Sequence, residues 1–388
     1  MSYDFDKVIE RRNTNCEKWD AMGEDVLPMW VADMDFEVLP EILEAVKKRA
    51  GHAVYGYTRF SDKYYDAVIS WVKRRHNWNI KKEWIVYSPG IVTGLNLIVK
   101  ALNQVGDKII IQTPVYYPFF RAIENNGFRV LRNPLKFENG KYKMDFEDLE
   151  KKLKDKRVKT LILCSPHNPV GRVWTKEELK KLGDLCLENG VTVVSDEIHS
   201  DIIYKENEHT TFGAISKDFE NNSIVCISAS KTFNLAGLRT SSLIIPNKEL
   251  RRKVINVIES IGNAEPNAFS ECASVAAYNH GEQWLSELMD YLKENLNFMK
   301  KYISENMPYV KVIEPEGTYL AWLDFSALKM DPRELHEFIL KKAKVWLDEG
   351  YIFGDEGNGF ERINLACPRS ILKEGLERIN KAIKQSKE

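Results

Sequence analysis

The stretch IVCISASKTFNLAGLR, Ile224 to Arg239, is where the architecture of this chain is most legible. It opens on small and β-branched residues, the composition of a buried strand, and turns polar at Ser228, Ser230 and Lys231, with Arg239 eight positions beyond the lysine. Alone, such a lysine reads as a loop cation pointing to water, because lysine is rarely buried without a partner. An amine flanked by hydroxyls and a guanidinium is also what an aldehyde cofactor carrying a phosphate needs: the amine forms an imine, and the other groups hold the dianion.

The same strand-into-polar-loop pattern recurs outward in both directions. WIVY from Trp84, KIIIQ from Lys108, TLILC from Thr160, VTVVS from Val191 and SSLII from Ser241 are short apolar runs separated by helical patterns. Runs without strict alternation belong to strands covered on both faces, so the expectation is an α/β fold with a mainly parallel sheet between helices. Ligands then collect at the carboxyl ends of the strands.

From Trp284 the period changes. Leu285, Leu288, Met289, Leu292, Leu296, Met299 and Ile303 mark one long amphipathic helix. Asp331-Pro332 is an N-cap and first-turn pair for a helix through Ala343, and YLAWLDF (Tyr319 to Phe325) reads as a strand. The expected organisation is an N-terminal segment, residues 1–50, packing with a small α+β domain; a large domain, 51–283; and a linker helix with the C-terminal small domain, 284–388.

Composition narrows the function. With 56 basic and 57 acidic side chains there is no field to recruit nucleic acid or an anionic membrane, so a small ligand or a protein partner is expected. No stretch approaches the roughly 20 apolar residues of a membrane span, and the expectation is a soluble, cytoplasmic protein. Six scattered cysteines without a Cys-x-x-Cys pair read as reduced thiols, with neither a disulfide framework nor a metal site.

Five further segments carry candidate chemistry. Asp196, in VVSDEIH, is placed to hold a protonated pyridinium, the state in which such a ring works as an electron sink; as an isolated feature it is also a helix cap. Asn168, in SPHNPVGRVW, could donate to a phenolic oxygen. SPGIVTGL, from Ser88, puts glycines at a strand-to-helix junction, where free N–H groups suit phosphate. In TPVYYPF, Tyr116 or Tyr117 could lie on a planar ring or simply pack. In INLACPRS, Arg369 has the fork geometry that binds a substrate carboxylate.

Taken in order, Gly90, Tyr116, Asn168, Asp196, Lys231 and Arg369 resemble the fold-type I pyridoxal-phosphate (PLP) enzymes, the aspartate aminotransferase superfamily, over almost the whole chain. PMWVADMDF (Pro28 to Phe36), YGYT (Tyr55 to Thr58) and SDEIHSD (Ser195 to Asp201) look more specifically like the MalY/PatB group of cystathionine β-lyases. The resemblance implies a large PLP-binding domain and Lys231 as the imine residue and proton shuttle, with Asp196 on the pyridinium and Asn168 and His199 beside the phenolic oxygen. Tyr116 would stack on the ring. Phosphate would be held by the Ile91 and Val92 backbone, Ser228, Ser230 and Arg239, and by Tyr57 of a neighbouring subunit, which implies a homodimer with shared sites. Arg369 and the Val31–Ala32 backbone would bind the carboxylate of an amino-acid substrate, with Tyr319 helping to shape the pocket. The implied reaction is β-elimination from L-cystathionine or another cysteine S-conjugate to pyruvate, ammonia and a thiol. An aminotransferase is the nearest alternative, and a regulatory protein-binding role added to the lyase is a further one.

Overall fold

The computed structural model describes residues 3–262 and 265–386. Its strands, in chain order, are β1 (Leu27–Pro28), β2 (Ile85–Ser88), β3 (Lys108–Ile111), β4 (Arg129–Arg132), β5 (Lys136–Glu138), β6 (Lys141–Lys143), β7 (Val158–Cys164), β8 (Thr192–Asp196), β9 (Ser223–Ile227), β10 (Ser241–Ile244), β11 (Lys311–Ile313), β12 (Leu320–Asp324), β13 (Val345–Trp346), β14 (Asp348–Glu349) and β15 (Phe360–Asn364). Seven of them form one sheet in the order β2-β10-β9-β8-β7-β3-β4. β9, β8, β7, β3 and β4 run parallel, while β10 is antiparallel to both of its neighbours. The expected mainly parallel α/β sheet is therefore present.

Its strands are apolar on both faces because both faces are covered. Ile109 and Ile111 pack with the helix Ile91–Leu102 in one cluster, and Ile110, Leu161 and Leu163 pack with the helix Lys176–Glu188 in another. The helix Lys176–Glu188 starts with a reciprocal capping box between Thr175 and Glu178, a sequence-encoded stop for the preceding loop.

The helix read from Trp284 spans Glu282–Asn306 and buries the expected leucine and methionine stripe. Beyond it, β11-β12-β15-β14 form a four-stranded antiparallel sheet. The Asp331 cap is present with Glu334 completing a capping box, although the α-helix stops at Phe338 and continues as a π turn to Ala343. β1 pairs in parallel with β13 as a separate two-stranded sheet, which ties the N-terminal segment to the C-terminal part of the chain just ahead of β14. Among the described residues no helix is long and apolar enough to cross a membrane, and no cluster could hold a metal ion.

Candidate active site

The loops that follow β2, β3, β7, β8 and β9 meet at one cavity at the carboxyl ends of the parallel strands. Its lining includes Ile91, Val92, Tyr116, Asn168, Asp196, His199, Ser230, Lys231 and Arg239, together with Ala32 from the N-terminal segment. Gly90 precedes the helix Ile91–Leu102 at φ 100°, a conformation an L side chain rarely adopts, and it aims the helix N-terminus into the cavity.

Lys231 sits in the short helix Ala229–Thr232 directly after β9, capped by the Ser228 hydroxyl, which accepts from the Ser230 N–H. Its Nζ donates to the Ala32 carbonyl at 2.5 Å. Burial lowers the lysine to about 8, Asp33 and Asp196 act against that fall, and Arg362 adds to it. Asp196 ends β8. Burial raises it to about 7, with Glu197 adding to the rise, while the Ile198 N–H and Lys231 oppose it. His199 is buried and held well below its ordinary value by burial and by the Lys231 and Arg362 charges, and its Nδ1 has no partner. Its ring meets Tyr319 edge-on at 5.7 Å, and the Tyr319 hydroxyl donates to Ala32 O at 2.7 Å.

The segment Met29–Phe36 crosses this site with its carbonyls held from two sides. Asn364 Nδ2 donates to Val31 O and Asp33 O, Arg362 Nη2 to Trp30 O, and Asn234 Nδ2 to Met34 O and Phe36 O. No hydrogen bond from the Val31 or Ala32 N–H is formed among the described residues, which leaves two backbone donors on the segment whose Ala32 carbonyl accepts from Lys231.

Arg369, expected to bind the substrate carboxylate, lies outside this cavity. Pro368 ends the preceding extended stretch, so Arg369 is the first residue of the helix Arg369–Gln385 and turns toward the helix Glu282–Asn306. There its Nε donates to Asn295 Oδ1 at 2.5 Å and its guanidinium lies over Tyr291 and Phe298, lining a separate cleft with Glu294. A second arginine, Arg362 on β15, reaches the cavity wall through Asn168. It donates from Nη1 to Asn168 Oδ1 at 2.9 Å and pairs with the buried Asp348, while its Nε is buried and unpartnered. A cation in the middle of a strand otherwise buried in a core was the available signal, one residue upstream of the stretch INLACPRS.

Two other expected residues stand apart. Tyr57 is fully exposed at 103% and lies outside the cavity. Ser228 is adjacent to the cavity, its hydroxyl donating to Thr240 O at 2.6 Å. Arg239 lines the cavity in a left-handed backbone conformation at φ 52°.

The donor set fits pyridoxal phosphate. It offers a helix N-terminus and hydroxyls for a dianion, a buried carboxylate for a ring cation, an unpartnered imidazole nitrogen, and a lysine whose burial favours the free amine.

The chain is 47% identical to cystathionine β-lyase PatB of Bacillus subtilis, with 98% of this chain and 99% of the relative covered. It is 34% identical to the protein MalY of Escherichia coli, over 98% and 99% of the two chains. Among solved structures it is similar to cystalysin of Treponema denticola, which contains a pyridoxal 5'-phosphate cofactor, with a TM-score of 0.97, 41% identity and complete coverage of both chains. Residues 24–379 match the family described as aminotransferase class I and II, and with this geometry the chain belongs to that family, beside its cystathionine β-lyase branch.

Proposed function

We propose that this protein is a PLP-dependent carbon-sulfur β-lyase that cleaves L-cystathionine or related cysteine S-conjugates to pyruvate, ammonia and a thiol. The observation that carries the reading is the Lys231 amine, buried in the same cavity as Asp196, His199, Asn168 and a helix N-terminus. When bound, the cofactor supplies the electron sink that makes the substrate Cα proton removable. Lys231 would hold the cofactor covalently through its amine and, when free, would serve as the base for that proton; its lowered basicity suits the task near neutral pH. Departure of sulfur from Cβ then completes the elimination, and water releases pyruvate and ammonia. Asp196 keeps the ring nitrogen protonated, Asn168 and His199 bind the phenolic oxygen, and Tyr116 covers the ring. Ile91, Val92, Ser228, Ser230 and Arg239 hold the phosphate.

Arg362 takes the substrate carboxylate, with the free Val31 and Ala32 N–H groups beside it. In support, Arg362 is the arginine whose charge reaches both Lys231 and His199. We read the assembly as a homodimer with shared sites. Val54, Tyr55, Tyr57, Val92 and Ile261 are exposed large apolar side chains, Val92 among them lines the cavity, and Tyr57 is fully exposed. Six free thiols favour the cytoplasm. The two sheets are read as a large cofactor-binding domain, 51–283, and a smaller one, 284–388, joined by residues 1–50.

Incubation of the PLP-loaded protein with L-cystathionine, without any keto acid, tests the activity. Pyruvate and a free thiol in equal amounts are expected. Amine transfer that appears only when 2-oxoglutarate is added would instead make the protein an aminotransferase.

A further inference from the structure

The crossing segment carries two carboxylates, Asp33 and Asp35, and both are neutralised from residues 11–19. Arg11 grips them together: Nη2 lies 2.6 Å from Asp33 Oδ2 and Nη1 2.6 Å from Asp35 Oδ1, and Nη1 also donates to Met34 O at 3.1 Å. Lys18, whose side chain is 1% exposed, donates to Asp35 Oδ2 at 2.7 Å and stands 3.6 Å from Asp33. The Trp19 indole donates to Asp35 Oδ1 at 2.8 Å. A buried carboxylate held by two cations and an indole is a rigid anchor, because breaking any pair would strand a charge away from water.

That anchor lies within three residues of the Ala32 carbonyl, the acceptor of the Lys231 amine. We propose that Arg11 is a positioning residue for Lys231: it fixes the Ala32 carbonyl and sets, through Asp33, the negative charge that the lysine feels. The inference deepens the reading of Lys231 as the imine residue and rests on it.

The charges around Lys231 come from every side of the cavity. Asp33 faces it from the crossing segment, Asp196 from β8 and Arg362 from β15, and the neutral His199, Tyr319 and Tyr116 complete the surroundings. Burial is the largest influence and lowers the lysine, while Asp33 is the foremost charge acting in the opposite direction. Arg11 and Lys18 in turn face Asp33, and Asp35 also meets Trp19 and the Cys367 thiol. Arg11 therefore screens the carboxylate that steadies the cationic form of Lys231.

Removing the screen and removing the carboxylate must act in opposite directions. In the PLP-loaded protein the protonated imine at Lys231 is the cation concerned, and its titration is visible in the absorbance. Arg11→Gln should raise that midpoint by about half a unit to one unit, and Asp33→Asn should lower it by a similar amount, the scale of a nearby but indirect charge. Arg11→Gln combined with Asp33→Asn should stay at the Asp33→Asn midpoint, because Arg11 acts through Asp33, and Arg11→Lys, which keeps the charge, should stay near the wild-type one.

A general loosening of the segment would move both single variants the same way, and that result, or no shift in either, overturns the proposal. If Arg11→Gln does not fold, Asp33→Asn against Arg11→Lys still reads the sign, and an unmoved Asp33→Asn midpoint overturns it. Absence of any imine absorbance in the wild-type protein would be a different failure, that of Lys231 itself.

Discussion

Asp348 and Arg362 stand directly opposite each other in the antiparallel ladder of β14 and β15, their side chains ion-paired with 3% of each exposed. The pair holds the guanidinium against Asn168 Oδ1 and Trp30 O, so one strand-borne cation touches the cavity wall, the crossing segment and the small sheet at once. Burial raises Asp348 to about 6, and the arginine opposes the rise, which makes the ion pair the reason this carboxylate can be charged at neutral pH.

The first prediction separates the two arginines. Arg362→Lys keeps the charge but loses the fork, and kcat/KM for L-cystathionine should fall by about 100-fold. Arg369→Ala should leave kcat/KM within about twofold and cost about 1 kcal/mol of stability through Asn295 and the aromatic contacts. Steady-state kinetics and urea unfolding of both variants check this; a larger kinetic loss in Arg369→Ala would return the carboxylate role to that residue.

Why the chain's sequence pointed to Arg369 and not Arg362 is a matter of direction. SPGIV, TPVYY, SPHNP, SDEIH and SASK each follow a strand, and strand ends in a parallel sheet meet at one edge, so their convergence was readable from order alone. Selecting between two arginines seven positions apart requires knowing that Pro368 starts a helix leading away, and that Asp348 lies opposite Arg362 in register. Neither is encoded in local composition. The same limit explains β4, an edge strand whose charged ends hid it, and the antiparallel course of β10, since hydrophobic periodicity does not reveal strand direction. The ties from Asn234 to Met34 and from Asn364 to Val31 span 200 and 333 positions, beyond any local pattern.

A second prediction concerns pH. Asp196 is raised in the folded chain to about 7, mainly by burial, so its folded form holds a proton that the unfolded form releases near 4. Its contribution is fully present below pH 4 and is lost as pH rises through 7. In cofactor-free protein, Asp196→Asn should therefore be more stable than wild type at pH 8, by roughly 4 kcal/mol, with the advantage gone by pH 4. Denaturant midpoints across that range measure it. The same variant should bind PLP more weakly, because the ring cation loses its carboxylate.

The third prediction addresses Tyr57. Its complete exposure and its place beside Tyr55 and Val54 suit a contribution to the neighbouring chain's phosphate site. Tyr57→Phe should weaken PLP retention severalfold. Mixed dimers of Tyr57→Phe and Lys231→Ala subunits should recover activity above that of either parent, because one of the two sites then carries both lesions and the other neither. Sedimentation as a monomer, or no recovery in the mixture, would contradict shared sites.

Lys231→Ala, followed by its visible spectrum and by pyruvate release from L-cystathionine, tests the role of the buried amine itself. The side chain is in the cavity wall and, among the described residues, donates to Ala32 O alone, so the fold should survive its loss. The internal-imine absorbance and essentially all turnover should disappear together. An unchanged spectrum with pyruvate still released would contradict that role.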